Sequence, residues 1–218
     1  MAQLGRHLGF HARHFPAGAE RGAPLAVLWE MARRNARLAL GSELARSLHR
    51  WPPEELVRLE RRVRREETDN RLHAWEWLAL PDGRILKADA LDHHAAHDLV
   101  GCQDIAWNIA GAAVEFALSE PESDRLCAEV ESESGYSTDP RLIALLEPCY
   151  LAFQLGDHAM AADGAAGWGA EPEQLRAAAA DHAERLQRVL AAVAWMRLVL
   201  AGRLELPTAR LRIECSTN

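Results

Sequence analysis

The sequence predicts an α+β fold in which helix dominates. Apolar residues recur at the spacing of an amphipathic helix over several long stretches of the 218-residue chain. Around Pro81-Asp82-Gly83 the pattern changes to short alternating runs, over residues 75–80 and 84–88, which are typical of a β-hairpin closed by a turn. Strands and helices do not alternate along the chain, so we do not expect a parallel sheet.

The helical stretches have recognisable starts and stops. Proline lacks the amide hydrogen that a helix interior needs, so Trp51-Pro52-Pro53 ends one helix and lets another begin. Gly41 divides the first stretch in two. The predicted helices cover residues 24–50, 53 to about 67, 104–118, 142–162 and 172–202. We expect an irregular lead-in over residues 1–23, a polar loop with one helical turn over 119–139, one domain over 24–203 and a tail over 204–218.

Composition excludes several classes of protein. The net charge is −7, whereas a nucleic-acid-binding surface needs clustered basic charge. No run of about 18 apolar residues is present, and the first residues lack the apolar core of a secretion signal. The four cysteines are widely spaced, which indicates reduced, buried thiols. These features predict a soluble, cytoplasmic protein with neither nucleic acid nor membrane as a partner.

Carboxylates flank the predicted hairpin on both sides. Asp69 precedes it, Glu76 lies in its first strand, and Asp89 follows its second strand. Because a hairpin brings the start of one strand near the end of the next, we expect the carboxyl groups of Glu76 and Asp89 to lie within about 8 Å of each other. Carboxylates that converge repel each other unless a cation lies between them. Mg²⁺ that carries substrate phosphates is the usual cation, because it prefers a few carboxylate ligands and several waters.

This arrangement resembles the C-terminal lobe of kinase-like proteins, in particular the aminoglycoside phosphotransferase and choline kinase group. In that group a loop of the form His-x-Asp-x-x-x-x-Asn is followed by a hairpin, a metal-binding Asp and a buried helix that begins with Asp. The matching hairpin is 77–88, and Asp104-Ile105-Ala106-Trp107 resembles the start of the buried helix. Glu76 lies 13 residues before Asp89, the interval common between the loop Asn and the metal Asp.

The resemblance implies ATP-dependent phosphorylation of a small hydroxylated metabolite, and it implies a role for each residue. Asp69 would be the catalytic base that orients the acceptor hydroxyl, and Glu76 and Asp89 would hold the Mg²⁺ of bound ATP. Lys87, the single lysine of the chain, lies two residues before Asp89 and would reach a phosphate; a solvent-facing strand position is the competing interpretation. Asp104 has the position of a helix N-cap, and in the family this Asp braces the catalytic loop.

The sequence also departs from the family pattern. Asp69 and Glu76 are seven positions apart rather than five, and Glu67 stands where the family has its loop His. No glycine-rich loop and no Val-Ala-Ile-Lys-like strand precedes the hairpin, so we expect the chain to bind Mg·ATP weakly or not at all. The first alternative is therefore a non-catalytic, pseudokinase-like interaction module.

Histidines suggest a second alternative, a His/Asp metal-dependent hydrolase. If the segment after the hairpin were helical, His93 and His97 would share one face and could chelate a metal, with His94 beside them and with His158 or His182 as further ligands. The basic run from Arg61 to Arg65 has two interpretations as well, a solvated helix face or a phosphate site.

Overall fold

The computed structural model describes residues 1–46, 48, 51–88, 95, 99–165 and 169–200, with residues 193–200 as backbone only. Helix dominates, and the described strands form one two-stranded antiparallel sheet, so the predicted α+β, predominantly helical class is confirmed. The helices are α1 (Ala2–His14), α2 (Leu25–Leu40), α3 (Ser42–Ala45), α4 (Pro53–Glu60), α5 (Ile105–Glu115), α6 (Glu120–Ser134), α7 (Pro140–Gly164) and α8 (Glu171–Leu200). The strands are β1 (Trp77–Ala79) and β2 (Ile85–Lys87).

Local sequence signals set most of these boundaries. Gly41, with φ of 85°, ends α2 in a conformation that side chains rarely adopt. Pro53 occupies the first turn of α4, where its missing amide hydrogen costs nothing. The hairpin pairs Trp77 with Lys87 and Ala79 with Ile85, as the Pro-Asp-Gly turn predicted. Helix α4 ends at Glu60, earlier than the predicted end near residue 67.

Two predictions of irregular structure are wrong. Residues 1–23 contain helix α1, whose Leu4 and Leu8 are buried. Residues 119–139 contain the 15-residue helix α6. It begins with a capping box in which Ser119 and Glu122 exchange hydrogen bonds, and it ends at Gly135 in the left-handed conformation. The high charge of this segment hides its helical pattern, because its apolar stripe is narrow.

The central helix α5 separates two apolar clusters. On one side Trp107 and neighbouring residues pack with α2, α7 and α8; on the other side Ile109 packs with Leu8 of α1 and Leu126 of α6. Nearly every residue of α5 is buried, in agreement with the predicted buried helix. None of the described helices combines the length and apolarity that a bilayer crossing requires.

Extended backbone between α4 and the hairpin is pinned from two directions. The backbone of Glu66 pairs with Pro16 on one side and with Gln103 on the other. Close by, Gly22 pairs with Gly101, and a Cβ on Gly22 would lie 1.7 Å from the carbonyl oxygen of Cys102. The two bridges of Glu66 fix the start of the segment that carries Asp69, because each links it to a distant part of the chain.

Candidate functional site

Three of the four predicted site residues meet at the base of the hairpin. The Lys87 ammonium nitrogen lies 3.2 Å from Asp69 Oδ2 and 2.5 Å from Glu76 Oε2. The three side chains are 7%, 2% and 11% exposed, respectively. The solvent-facing interpretation of Lys87 is therefore wrong: its charge is buried and paired with both acids. We call Asp69, Glu76 and Lys87 the acid–lysine cluster.

Hairpin geometry explains this convergence. Glu76 ends a short 3₁₀ turn directly before β1, and its carbonyl oxygen accepts a hydrogen bond from Ala88 N at 2.6 Å. Lys87 pairs with Trp77 in the antiparallel ladder. Trp77 directly follows Glu76, so the side chains of Lys87 and Glu76 start close together on opposite strands of the hairpin. Asp89 lies outside the described residues, so its distance from Glu76 and its metal role stay predictions.

The loop from Thr68 to His73, which carries Asp69 and which we call the acidic loop, is braced by buried polar side chains. Thr68 Oγ1 donates to Asn70 Oδ1 at 2.6 Å, and Asn70 Nδ2 donates to the carbonyl oxygen of Gly101 at 2.9 Å. The indole of Trp107 donates to the carbonyl oxygen of Asn70. Asn70 has φ of 60°, a left-handed conformation that Asn tolerates better than most residues. The backbone beside Asp69 is therefore held in one geometry.

Asp104 has the capping role that the sequence predicted. Its Oδ1 accepts from Ala106 N at 3.0 Å, and its Oδ2 accepts from Arg64 N at 2.8 Å. It thus connects the start of α5 to the extended segment that leads into the acidic loop. Burial raises the pKa of this carboxyl, although the two backbone donors partly offset the rise.

A second polar cluster, centred on Glu115, lies beneath the acidic loop and was missed by the sequence analysis. Tyr150 accepts a hydrogen bond from Leu72 N at 3.2 Å and donates to Glu115 Oε1 at 3.1 Å. His73 and His182 approach the same carboxylate at 3.6 and 3.7 Å. Burial alone would raise the pKa of Glu115, but the donors from these histidines and from Tyr150 outweigh it and lower the pKa to about 2.

Histidines collect around this carboxylate without forming a metal centre. His158 stacks on His182 with ring centroids 5.1 Å apart, and burial lowers the pKa of His158. Over the described part of the chain, no group of three or more His, Cys, Asp or Glu side chains is arranged to hold a metal ion. His93, His94 and His97 lie outside the described residues, so the histidine metal site stays a prediction there.

Helix α1 contributes a further residue near the acid–lysine cluster. His7 packs edge-on against Trp77 with ring centroids 5.2 Å apart, and it is close enough to Asp69 and Lys87 to feel their charges. Burial, reinforced by the neighbouring His11, lowers the pKa of His7 to about 4. His7 is therefore neutral at physiological pH and adds no second cation to the cluster.

The donor chemistry of the cluster fits Mg²⁺. Glu76 supplies the hard carboxylate oxygen that Mg²⁺ prefers, and the carboxylate of Asp69 contacts the same ammonium nitrogen. A cation entering there would have to displace Lys87 or share the carboxylates with it.

No protein-family model, curated protein or solved structure matches this chain.

Proposed function

We propose that this chain is a kinase-like phosphotransferase, or a descendant of one, whose chemistry is ATP-dependent phosphorylation of a small hydroxylated metabolite. The observation that supports it is the burial of Asp69, Glu76 and Lys87 in one cluster at the base of the hairpin. Two acids that flank a hairpin in sequence could have separate structural roles. Acids and a lysine that converge beside a rigid loop have the composition of a phosphoryl-transfer site.

Each side chain has a separate task in this proposal. Asp69 accepts or orients the proton of the acceptor hydroxyl, while the bracing of Asn70 by Trp107 and Gly101 keeps Asp69 in place. Glu76 and Asp89 hold Mg²⁺, which when bound neutralises the charge of the ATP phosphates. Lys87 holds the two acids together in the absence of nucleotide and offers its ammonium to a phosphate oxygen when one enters.

A non-catalytic interaction module is the second candidate, and one surface favours it. Apolar side chains lie exposed on and beside the hairpin: Leu78 is 51% exposed, Ile85 45% and Leu86 44%, and Trp75 is 67% exposed. Exposed apolar groups gathered on one element are typical of a protein-binding surface. Lys87 also pairs with both Asp69 and Glu76, an arrangement that would serve a non-catalytic scaffold.

Calorimetric titration of Mg·ATP into the full chain, paired with release of phosphate from ATP with water as acceptor, tests the phosphotransferase proposal. We expect weak binding that Glu76→Gln and Asp89→Asn each reduce at least tenfold. Asp69→Asn should leave that binding within twofold of the wild type and abolish phosphate release, because the base acts on the acceptor rather than on the nucleotide.

Glu43→Gln, a charge-matched change at an exposed position of α3, is the control and should change neither quantity. Binding that survives both metal-site variants would overturn the assignment of Glu76 and Asp89. No detectable binding in any form would favour the interaction module.

A further inference from the structure

The arginine-rich segment after α4 has no part in the proposed function. Residues 60–66 form one wall of an open cavity of about 990 Å³. The other walls come from Ala12 and Pro16, from Ile105 of α5, and from Tyr136 and Leu142 at either side of the α6–α7 connection. A cavity of this size can take a small molecule. Its lining includes none of the acid–lysine cluster.

We propose that this cavity binds a small molecule carrying a phosphate or carboxylate group, held by Arg64 and Arg61 and by a hydrogen bond from the buried carboxyl group of Glu66. The proposal is independent of the phosphotransferase function. Under this proposal the run from Arg61 to Arg65 forms a phosphate site rather than a solvated helix face.

Positive charge in the cavity is only partly neutralised. Arg62 pairs with Asp139 at 3.0 Å, and Arg65 is buried against Glu60 at 2.7 Å. Within the described residues neither Arg61 nor Arg64 forms an ion pair. Arg64 instead lies over the ring of Tyr136, 4.4 Å from its centroid. A guanidinium held on an aromatic face keeps its hydrogen-bond donors available for an anion.

Glu66 is the second, independent observation. Its side chain lines the cavity although the residue is only 3% exposed, and among the described residues its Oε1 has no hydrogen-bond partner. Burial, together with the nearby Asp104, raises the pKa of Glu66 to about 9. At neutral pH the carboxyl group is therefore protonated and can donate to a ligand oxygen. An unsatisfied buried polar group of this kind has an energetic cost that a ligand would remove.

Helix geometry reinforces the preference for an anion. Helices α5 and α7 both begin at the cavity, and the N-terminal end of a helix carries partial positive charge. Their capping carboxylates, Asp104 and Asp139, are already used by backbone amides and by Arg62. A cationic ligand would face Arg61 and Arg64, whereas an anionic ligand finds donors on both of these arginines.

Calorimetric titration with sodium phosphate at constant ionic strength and pH 7.5 tests this site. We expect saturable binding that Arg64→Met weakens at least tenfold. Arg37→Met is the matched control, because Arg37 is an exposed arginine of α2, and it should leave the affinity unchanged. Arg64 is itself exposed, so its variant should fold; urea unfolding of both variants checks this.

A second readout isolates Glu66. Phosphate affinity of the wild type should fall at least tenfold between pH 7.5 and 10, as the Glu66 carboxyl loses its proton, while Glu66→Gln should bind equally well at both values. The other charged groups that line the cavity around Glu66 all remain in the variant: Glu60, Arg61, Arg62, Arg64, Arg65, Asp104 and Asp139. Absence of saturable binding, an equal loss in Arg37→Met, or Glu66-dependent binding of methylammonium instead would overturn the proposal.

Discussion

Lys87 stands between two buried carboxylates, and its removal leaves Asp69 and Glu76 facing each other without a cation. Breaking a buried ion pair on one side costs about 3–5 kcal/mol. We therefore expect Lys87→Met to lower the free energy of unfolding by about 3 kcal/mol or more at pH 7, measured by urea denaturation. The loss should shrink in a Lys87→Met/Glu76→Gln double variant, because one of the stranded charges is gone.

Arg84→Met is the control on the same hairpin. Arg84 pairs with Asp82 at 2.8 Å, but its side chain is 68% exposed, so water screens the pair and its loss should cost less than about 1 kcal/mol. Equal losses in the two variants would contradict the buried pairing of Lys87.

Glu115 makes stability depend on pH in the acid range. Its pKa in the folded protein is about 2, below its usual 4.5, so it stabilises the fold fully above pH 4.5 and progressively less as the pH falls toward 2. Glu115→Gln should thus cost about 3 kcal/mol at pH 7, and this difference from the wild type should approach zero near pH 2. Urea unfolding of both proteins at several pH values measures it. A difference that stays constant with pH would exclude the charged role of Glu115.

For single residues, the sequence predicted which side chains lie near one hairpin but not which of them are buried. The spacing of Asp69, Glu76 and Lys87 around a turn signal was enough to place them near one hairpin, because hairpin pairing is local. The burial of Lys87 was not predictable, since a three-residue strand has too short a pattern to tell its two faces apart. Glu115 and His73 belong to different elements, so only the packing of α5 beneath the acidic loop brings them together.

At the scale of elements, the capping box of α6 is the local signal that the charge pattern obscured. Ser119 Oγ and its backbone amide both lie within 2.8 Å of Glu122 Oε2, and losing such a cap costs about 1 kcal/mol. Ser119→Ala should therefore lower the free energy of unfolding by that amount. Ser132→Ala, at an exposed position within the same helix, should be neutral or slightly stabilising, because alanine favours helix.

Circular dichroism at the helical wavelength, followed during urea unfolding, measures both variants. A loss in Ser132→Ala as large as that in Ser119→Ala would mean that the hydroxyl groups act through solubility or packing rather than through the cap.

Longer helices were easier to predict than α6, for a physical reason. The apolar residues of α2, α5 and α7 are numerous because each helix packs against more than one neighbour, so the periodicity is strong. Helices α1 and α6 mainly cover each other and one side of α5. They need fewer apolar residues, and glycines of α1 let the two helices approach each other closely.

At the scale of the whole molecule, that contact between α1 and α6 holds the N-terminal helix in place. A Cβ on Gly9 would lie 2.5 Å from Glu133 Cβ and 2.9 Å from the carbonyl oxygen of Val130. Because the helix backbone cannot yield, Gly9→Ala should push the helices apart and cost about 1–3 kcal/mol. Gly164→Ala is the control: nothing lies within 4 Å of its Cβ, so it should be neutral or stabilising.

Urea unfolding gives both free energies, and amide hydrogen exchange locates the change. Faster exchange confined to α1 and α6 in Gly9→Ala is the expected pattern. A Gly9→Ala protein as stable as Gly164→Ala would show that the two helices are less closely packed than described.

The partnership of α1 with α6 also imposes an order of events on a ribosome. A ribosome makes α1 before α6, yet the surface that covers Leu4 and Leu8 includes Leu126 and Val130 of α6. Until then the apolar stripe of α1 has no permanent cover, and chains in this state are prone to aggregate. We therefore expect synonymous codon changes that speed translation between α1 and α6 to change the yield of folded protein without changing one residue.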